Sequence, residues 1–338
     1  MKSKLLSLAY LFAAALSAGL LLGEPISARA VRELPPDIQR LYNGGLYRQA
    51  IEALNAAIQR DPEESSLRFW LGRCFYELRD YNRAISSMER ANGLEPERSE
   101  YHDWLGKAYG RKAQEGSRFS PFSSLSLAHK ARREFETAVR LEPQNLEAQR
   151  DLIRYLMTAP GIVGGSQEAA ERQIQELSGV DAMEGELAQA ELYVTRRKFD
   201  QADVEYQKIL QMSPNRIGIY FEIAEYYRDR GNAARMSEAI EMGASLAPSD
   251  HRLDYYRGIA LVLADRDAAQ AEAQLRHYLE TVPDNENVPS HSTAHEWLGR
   301  LYEREGRLDK AAQEFQTALS LDPHNKQASE SLRALQKR

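Results

Sequence analysis

The sequence predicts an all-α solenoid of about eight helix–turn–helix units, ended by a short capping helix. Three observations favour this fold class. Ala, Leu, Glu, Arg and Gln, which lose little side-chain freedom in a helix, dominate the 338 residues. A pattern of apolar and small residues recurs about every 34 residues, and prolines separate the recurrences. Because neither helix of such a unit can hide its apolar stripe alone, neighbouring units must stack to form a core.

The recurring pattern is clearest near the carboxyl end of the chain. There the residues at set spacings are Trp297, Leu298, Gly299, Tyr302, Gly306, Ala311, Phe315, Ala318 and Pro323. An earlier stretch repeats the spacing with Leu71, Gly72, Phe75, Ala84, Met88, Ala91 and Pro96. Leu71 and Phe75 lie four residues apart and therefore share one helix face. Gly72 and Ala84 remove side-chain bulk where we expect the two helices of a unit to approach closely.

This arrangement resembles the tetratricopeptide repeat (TPR), with its pattern W-x2-L-G-x2-Y followed by Ala, an aromatic residue, Ala and Pro. The resemblance covers most of the chain after residue 30 and implies one TPR solenoid over residues 31–338. The predicted units are 31–62, 65–96, 99–143, 146–178, 183–214, 217–248, 251–283 and 292–323, and the capping helix is 326–336.

Two irregularities interrupt the repeat. The third unit contains an insertion over residues 114–126, and the fourth contains an Ala-Pro-Gly-x-x-Gly-Gly loop over residues 159–165. No Gly-Lys-Ser/Thr follows the loop, so we predict a wide turn with Ser166 capping the next helix. Phe119 and Phe122 of the insertion either contact a partner or fold back onto the protein. Together the two features resemble an exported TPR subtype of the bacterial envelope.

The amino terminus predicts export. Lys2 and Lys4 precede an apolar stretch, a Gly-Glu-Pro break follows it, and Ala28-Arg29-Ala30 offers a small-x-small cleavage pattern. We therefore predict a signal peptide over residues 1–30, a periplasmic or secreted location, and no stable membrane insertion of the mature chain. The alternative is an uncleaved anchor in the inner membrane, because the apolar stretch is near the minimum length for a span.

Charge and residue patterns exclude several functions. The formal net charge is −6, and no run of Lys and Arg offers the basic surface that nucleic-acid binding needs. Cys74 is the single cysteine, so an internal disulfide is impossible, and its apolar neighbours predict burial. His291 and His295 lie four apart, but the H-E-x-x-H pattern is absent, so we predict no metal and no cofactor. With no recognisable catalytic triad or carboxylate pair, we predict that the protein is not an enzyme.

The resemblance to TPR proteins places function on the concave surface. In such arrays the first helix of each unit lines this surface, and its residues outside the core contact the partner. Carried over to this chain, the predicted partner-binding residues are Phe69, Arg73, Tyr76, Lys107, Arg111, Arg150 and Arg154. Their cationic and aromatic character, if they face solvent, suits an acidic segment of a partner protein. The alternative is an ordinary solvated helix face.

Two functions remain open at this stage. The first is a non-catalytic adaptor or scaffold of the periplasm or cell envelope that binds a protein or peptide in its groove. The second is a permanent structural subunit of an envelope or secretion assembly. Sequence alone does not distinguish them, because the repeat specifies a fold rather than an activity.

Overall fold

The computed structural model describes residues 34–116, 121–284 and 288–337, which contain seventeen α-helices and no strand. The predicted all-α repeat solenoid is therefore confirmed. The predicted signal peptide, residues 1–30, lies outside the described residues. The helices are α1 (Pro36–Asn43), α2 (Tyr47–Arg60), α3 (Ser65–Glu77), α4 (Tyr81–Leu94), α5 (Ser99–Gly116), α6 (Pro121–Leu141), α7 (Leu146–Thr158), α8 (Gln167–Val180), α9 (Ala182–Thr195), α10 (Phe199–Gln211), α11 (Ile217–Asp229), α12 (Ala233–Leu246), α13 (Arg252–Ala264), α14 (Ala268–Thr281), α15 (His291–Arg304), α16 (Leu308–Leu321) and α17 (Lys326–Leu335).

These helices form eight successive pairs, α1–α2 to α15–α16, and α17 packs against the last pair. At most junctions the first helix of a pair also contacts the first helix of the next pair. The array therefore curves with its first helices on the inside. We call the surface formed by α3, α5, α7, α9, α11, α13 and α15 the inner face. In the described ranges, no helix combines the length and apolar character needed to cross a membrane.

Glycines fix the distance between the two helices of a pair. A Cβ on Gly106 would lie 2.8 Å from Cε1 of Phe135, and one on Gly299 would lie 2.5 Å from Cε1 of Phe315. Both distances are shorter than any ordinary carbon–carbon contact. The aromatic ring of the second helix thus occupies the space that a larger residue on the first helix would fill. This confirms the close approach that the sequence pattern predicts.

The buried apolar residues form three clusters along the array. Small residues of the second helices, such as Ala84 and Ala311, are completely buried, as close helix packing requires. Cys74 is also completely buried, which confirms the prediction for this residue. Burial raises the pKa of the Cys74 thiol to about 12, so it remains protonated and unreactive at neutral pH.

The insertion of the third unit is mostly helical. α5 continues to Gly116 and α6 already begins at Pro121, so the extra residues lengthen both helices instead of forming one long loop. Phe119 lies outside the described residues. The side chain of Phe122 is 90% exposed, so this ring does not fold back onto the protein.

The glycine loop of the fourth unit contains a single 3₁₀ turn, Gly161–Val163, and ends in a defined cap. Gly164 has a φ of +94°, a conformation that residues with a Cβ rarely adopt. A Cβ on Gly165 would lie only 1.7 Å from the carbonyl oxygen of Ala159. The hydroxyl of Ser166 accepts a hydrogen bond from the backbone N–H of Ala169 at 3.1 Å. The predicted cap at Ser166 is therefore confirmed.

The two ends of the curved array meet. Nη2 of Arg79, in the loop before α4, lies 3.0 Å from Oδ2 of Asp322, which follows α16. Gly45, between α1 and α2, packs so closely on the backbone at Asp284 that a Cβ would lie 2.7 Å from the Asp284 carbonyl oxygen. The inner face therefore faces a space that both ends of the helical array enclose.

Candidate partner-binding face

Two of the predicted partner-binding residues belong to the core. Phe69 is completely buried and stacks on Tyr101, with ring centroids 4.6 Å apart. Arg73 is only 9% exposed. The expectation that these side chains face solvent is therefore wrong. The physical reason is that α3 packs against α5, which covers the side of α3 that carries Phe69 and Arg73.

Aromatic rings surround the buried guanidinium of Arg73. Its Cζ lies 4.0 Å from the ring centroid of Trp104, 4.5 Å from that of Trp70 and 5.1 Å from that of Tyr42. Each face of these rings carries partial negative charge and attracts the cation. Arg73 thus joins the first three units and is held as part of the fold.

Tyr76, Lys107 and Arg111 line a cavity of about 660 Å³ together with Trp104. Nε of Arg111 donates a hydrogen bond to the hydroxyl of Tyr76 at 3.3 Å. The opposite wall comes from the carboxy-terminal units and contains Asp284, Val288, Ser290, Ser292, Leu321 and Asp322. Three of the predicted residues therefore share one cavity, which no single unit could form.

Three carboxylates surround the ammonium group of Lys107. Nζ lies 2.9 Å from Oδ2 of Asp103, 2.5 Å from Oε1 of Glu147 and 3.0 Å from Oδ2 of Asp151. One positive charge meets three negative ones, so the cluster carries surplus negative charge when all three are ionised. Burial, assisted by the Asp151 carboxylate, raises the pKa of Asp103 to about 7 in spite of Lys107.

Arg150 forms the centre of a second cluster. Its guanidinium lies 3.3 Å from Glu184, 3.1 Å from Glu191 and 2.7 Å from Glu222, so it links α7, α9 and α11. Burial raises the pKa of Glu222 to about 7, although Arg150 opposes this shift. Arg154, the remaining predicted residue, is half exposed and lies 3.1 Å from Asp151.

Sequence reasoning found the cations of the inner face and missed the acids that hold them. These acids are Asp103, Glu147, Asp151, Glu184, Glu191 and Glu222. One signal was available, because Asp103 and Lys107 lie four apart on one helix, the spacing of a helical ion pair. The contacts between helices had no such signal, since they depend on how successive units meet.

His291 and His295, which lie four residues apart, contact different groups. Nε2 of His291 lies 2.7 Å from the carbonyl oxygen of Val282, and Nδ1 of His295 lies 2.6 Å from Oε2 of Glu314. The third unit has the same arrangement, with Nδ1 of His102 2.6 Å from Glu134. The contact between this histidine and a glutamate of the second helix is therefore a structural feature of both the third and the eighth unit.

Sequence profiles of known families match two stretches of the chain. Residues 38–100 and residues 292–325 each match the tetratricopeptide repeat. In these two stretches the chain is similar to the tetratricopeptide repeat. Such repeats mediate protein–protein interactions, and TPR proteins are generally non-catalytic scaffolds.

Solved structures that resemble this chain are distant in sequence. A tetratricopeptide repeat protein from Parabacteroides merdae is 15% identical, with 89% of this chain and 96% of that chain covered and a TM-score of 0.45. A human IFIT1 dimer with PPP-AAAA is 17% identical, with 86% and 69% covered and a TM-score of 0.52. No curated protein sequence matches the chain significantly. The likeness to solved TPR structures therefore concerns the fold alone.

Proposed function

We propose that this TPR protein is a non-catalytic adaptor or scaffold whose inner face binds a basic segment of a partner protein. The observation that carries the proposal is the cluster at Lys107, where three carboxylates surround one ammonium group. The Arg150 cluster adds Glu184, Glu191 and Glu222, of which Glu184 also contacts Arg216 at 2.6 Å and Glu191 also lies 3.7 Å from Arg154. The inner face of the third to sixth units therefore has more acids than cations.

This proposal replaces the acidic segment that the sequence predicts. Lys107, Arg150 and Arg154 are already engaged by carboxylates, and Arg73 is enclosed by rings. An acidic segment would add negative charge to a surplus. A Lys or Arg side chain of a partner would instead form charge-assisted hydrogen bonds with the carboxylates and lower the raised pKa of Asp103.

The adjacent cavity suggests the rest of the ligand. Tyr76, Tyr81 and Trp104 line the same space as Lys107 and Glu147. Aromatic walls beside carboxylates suit an extended peptide that places an apolar side chain in the cavity and a basic one on the cluster. We therefore propose a segment with mixed apolar and basic residues.

The location and boundaries also remain proposals. We propose that export removes residues 1–30 and that the mature TPR solenoid acts in the periplasm or outside the cell, because Ala28-Arg29-Ala30 follows the apolar stretch. Amino-terminal sequencing of the exported protein should then begin at Val31. Recovery of the full-length chain from the inner membrane would instead favour an anchored protein.

Peptide binding tests the charge preference of the inner face. Two labelled peptides of equal length and equal apolar content, one rich in Lys and Arg and one rich in Asp and Glu, are titrated with the protein by fluorescence anisotropy. We expect the basic peptide to bind more tightly. The double variant Glu147→Gln/Asp151→Ser should weaken this binding about tenfold, because two charge-assisted contacts are lost.

The matched control is Glu63→Gln/Glu97→Gln, which removes two exposed acids in loops outside the clusters. This control should bind the basic peptide like the unaltered protein. Tighter binding of the acidic peptide, or equal loss in both double variants, would contradict the proposal.

A further inference from the structure

Three side chains of types that bind transition metals converge on the seventh helix pair. His251 directly precedes α13, Asp254 lies in the first turn of that helix, and His277 lies in the last turn of α14. Nδ1 of His277 is 2.7 Å from Oδ2 of Asp254, and the two imidazole centroids are 5.7 Å apart. One candidate ligand atom from each residue lies within 4.8 Å of those of the other two.

This donor set matches the chemistry of zinc and related divalent ions. Two imidazole nitrogens and one carboxylate oxygen bind such ions with bonds of about 2.0–2.2 Å, and a water completes a tetrahedral site. Neighbouring ligand atoms of such a site lie about 3.3 Å apart. The contact between Asp254 and His277 would therefore widen slightly, and His251 would move closer. Both imidazoles are exposed, so side-chain rotation suffices.

The neighbouring arginines are engaged elsewhere. Arg252 lies 2.6 Å from Asp250, and Arg257 lies 2.8 Å from Glu241. Among the described residues, the ion-pair partner of Asp254 is His277. A metal ion bound to Nδ1 of His277 takes the place of the proton at that nitrogen. When the metal ion binds, the Asp254 carboxylate therefore loses no ion pair with a Lys or Arg of the described residues.

We propose that His251, Asp254 and His277 form a binding site for a divalent d-block metal ion of the zinc class. The bound ion ties the beginning of α13 to the end of α14 and so stabilises the seventh unit. The site shares no residue with the Lys107 and Arg150 clusters, so it is independent of the proposed peptide binding. No sequence motif indicates this site, because His251 precedes α13 whereas His277 lies in α14.

Zinc titration of the untagged protein by calorimetry tests this site. We expect about one tightly bound ion per chain and a rise in the melting temperature that EDTA reverses. The variant His251→Ala/His277→Ala should lose both effects, and Asp254→Asn should weaken binding. Cobalt substituted for zinc should give the intense visible absorption of a tetrahedral site in the unaltered protein only.

The control variant His129→Ala/His324→Ala removes two exposed histidines from other parts of the chain. It should keep the bound ion, the shift in melting temperature and the cobalt spectrum. Equal loss of zinc in both double variants, or no zinc bound by the unaltered protein, would overturn the proposal.

Discussion

The third and eighth units share one local structure. In both units a serine hydroxyl donates to an alanine carbonyl of the second helix at 2.9 Å, and a histidine lies 2.6 Å from a glutamate of that helix. In both, an asparagine before the next helix donates to the serine hydroxyl at 3.1 Å. Each also places a cation over a tryptophan: Lys107 over Trp104 at 4.4 Å, and Arg300 over Trp297 at 4.5 Å.

The two units differ in the helix that follows them. Lys107 meets Glu147 and Asp151 on α7. At the same distances after the asparagine, α17 has Gln327 and Ser331. Units with the same local structure therefore create sites of different charge, and the following helix contributes to that difference. The proposed binding clusters lie at junctions between units rather than within single repeats.

The largest expected effect comes from removing one of the two tryptophans. Trp104 is almost fully buried and contacts both Arg73 and Lys107. We expect Trp104→Ala to lower the free energy of unfolding by about 3–5 kcal/mol. Trp297→Ala should cost less, because one cation, Arg300, lies over the Trp297 ring, whereas two lie over Trp104. Urea denaturation measures both, and a larger loss in Trp297→Ala would contradict the comparison.

Removing the cation of each site gives a smaller and more specific effect. Lys107→Met leaves Asp103 and Glu147 without their ion-pair partner and Asp151 with Arg154 alone, and it should cost about 2–4 kcal/mol at pH 8. Arg300→Met removes the ion-pair partner of Glu296, which Asn325 and Arg228 still stabilise, and should cost about 1 kcal/mol. The loss in Lys107→Met should shrink as the pH falls, because protonation removes the repulsion among the carboxylates. Equal losses in the two variants would show that the junctions do not differ in charge.

Replacing the buried acid of each site should raise the free energy of unfolding, whereas removing the cation lowers it. The pKa of Asp103 is about 7 in the folded protein, above its ordinary value of 3.8, so the folded state retains a proton that the unfolded state releases. This difference lowers stability as the pH rises from about 4 to 7. Asp103→Asn should therefore gain about 1–2 kcal/mol at pH 8, and the gain should disappear towards pH 4.

Glu296→Gln is the matched change in the eighth unit. Burial raises the pKa of Glu296 as well, although Arg300, Asn325 and Arg228 oppose this shift. We expect this variant to gain less stability than Asp103→Asn across the same pH range, as measured by thermal unfolding. A gain in Glu296→Gln that equals or exceeds that of Asp103→Asn would contradict the proposed surplus of charge.

Sequence reasoning could predict the fold but only half of the site. The contact of Gly299 with Phe315 and the cap at Ser166 follow from local patterns, because each depends on residues within one unit. The cations of the inner face could also be predicted, because the repeat pattern places them on first helices. Their partners were not, because Arg150 reaches Glu222 across two junctions and Arg73 is covered by rings from neighbouring units. Such contacts depend on the superhelical geometry.

The pKa of Asp103 in solution tests the central claim most directly. Carboxyl carbons of ¹³C-labelled aspartate are followed by NMR during a pH titration, and the spectrum of Asp103→Asn assigns the signal. We predict a midpoint near 7 for the free protein and a lower one when the basic peptide is bound. A midpoint in the ordinary range near 3.8, unchanged by the peptide, would contradict the account, because neither burial nor the neighbouring carboxylates would then destabilise the ionised form of Asp103.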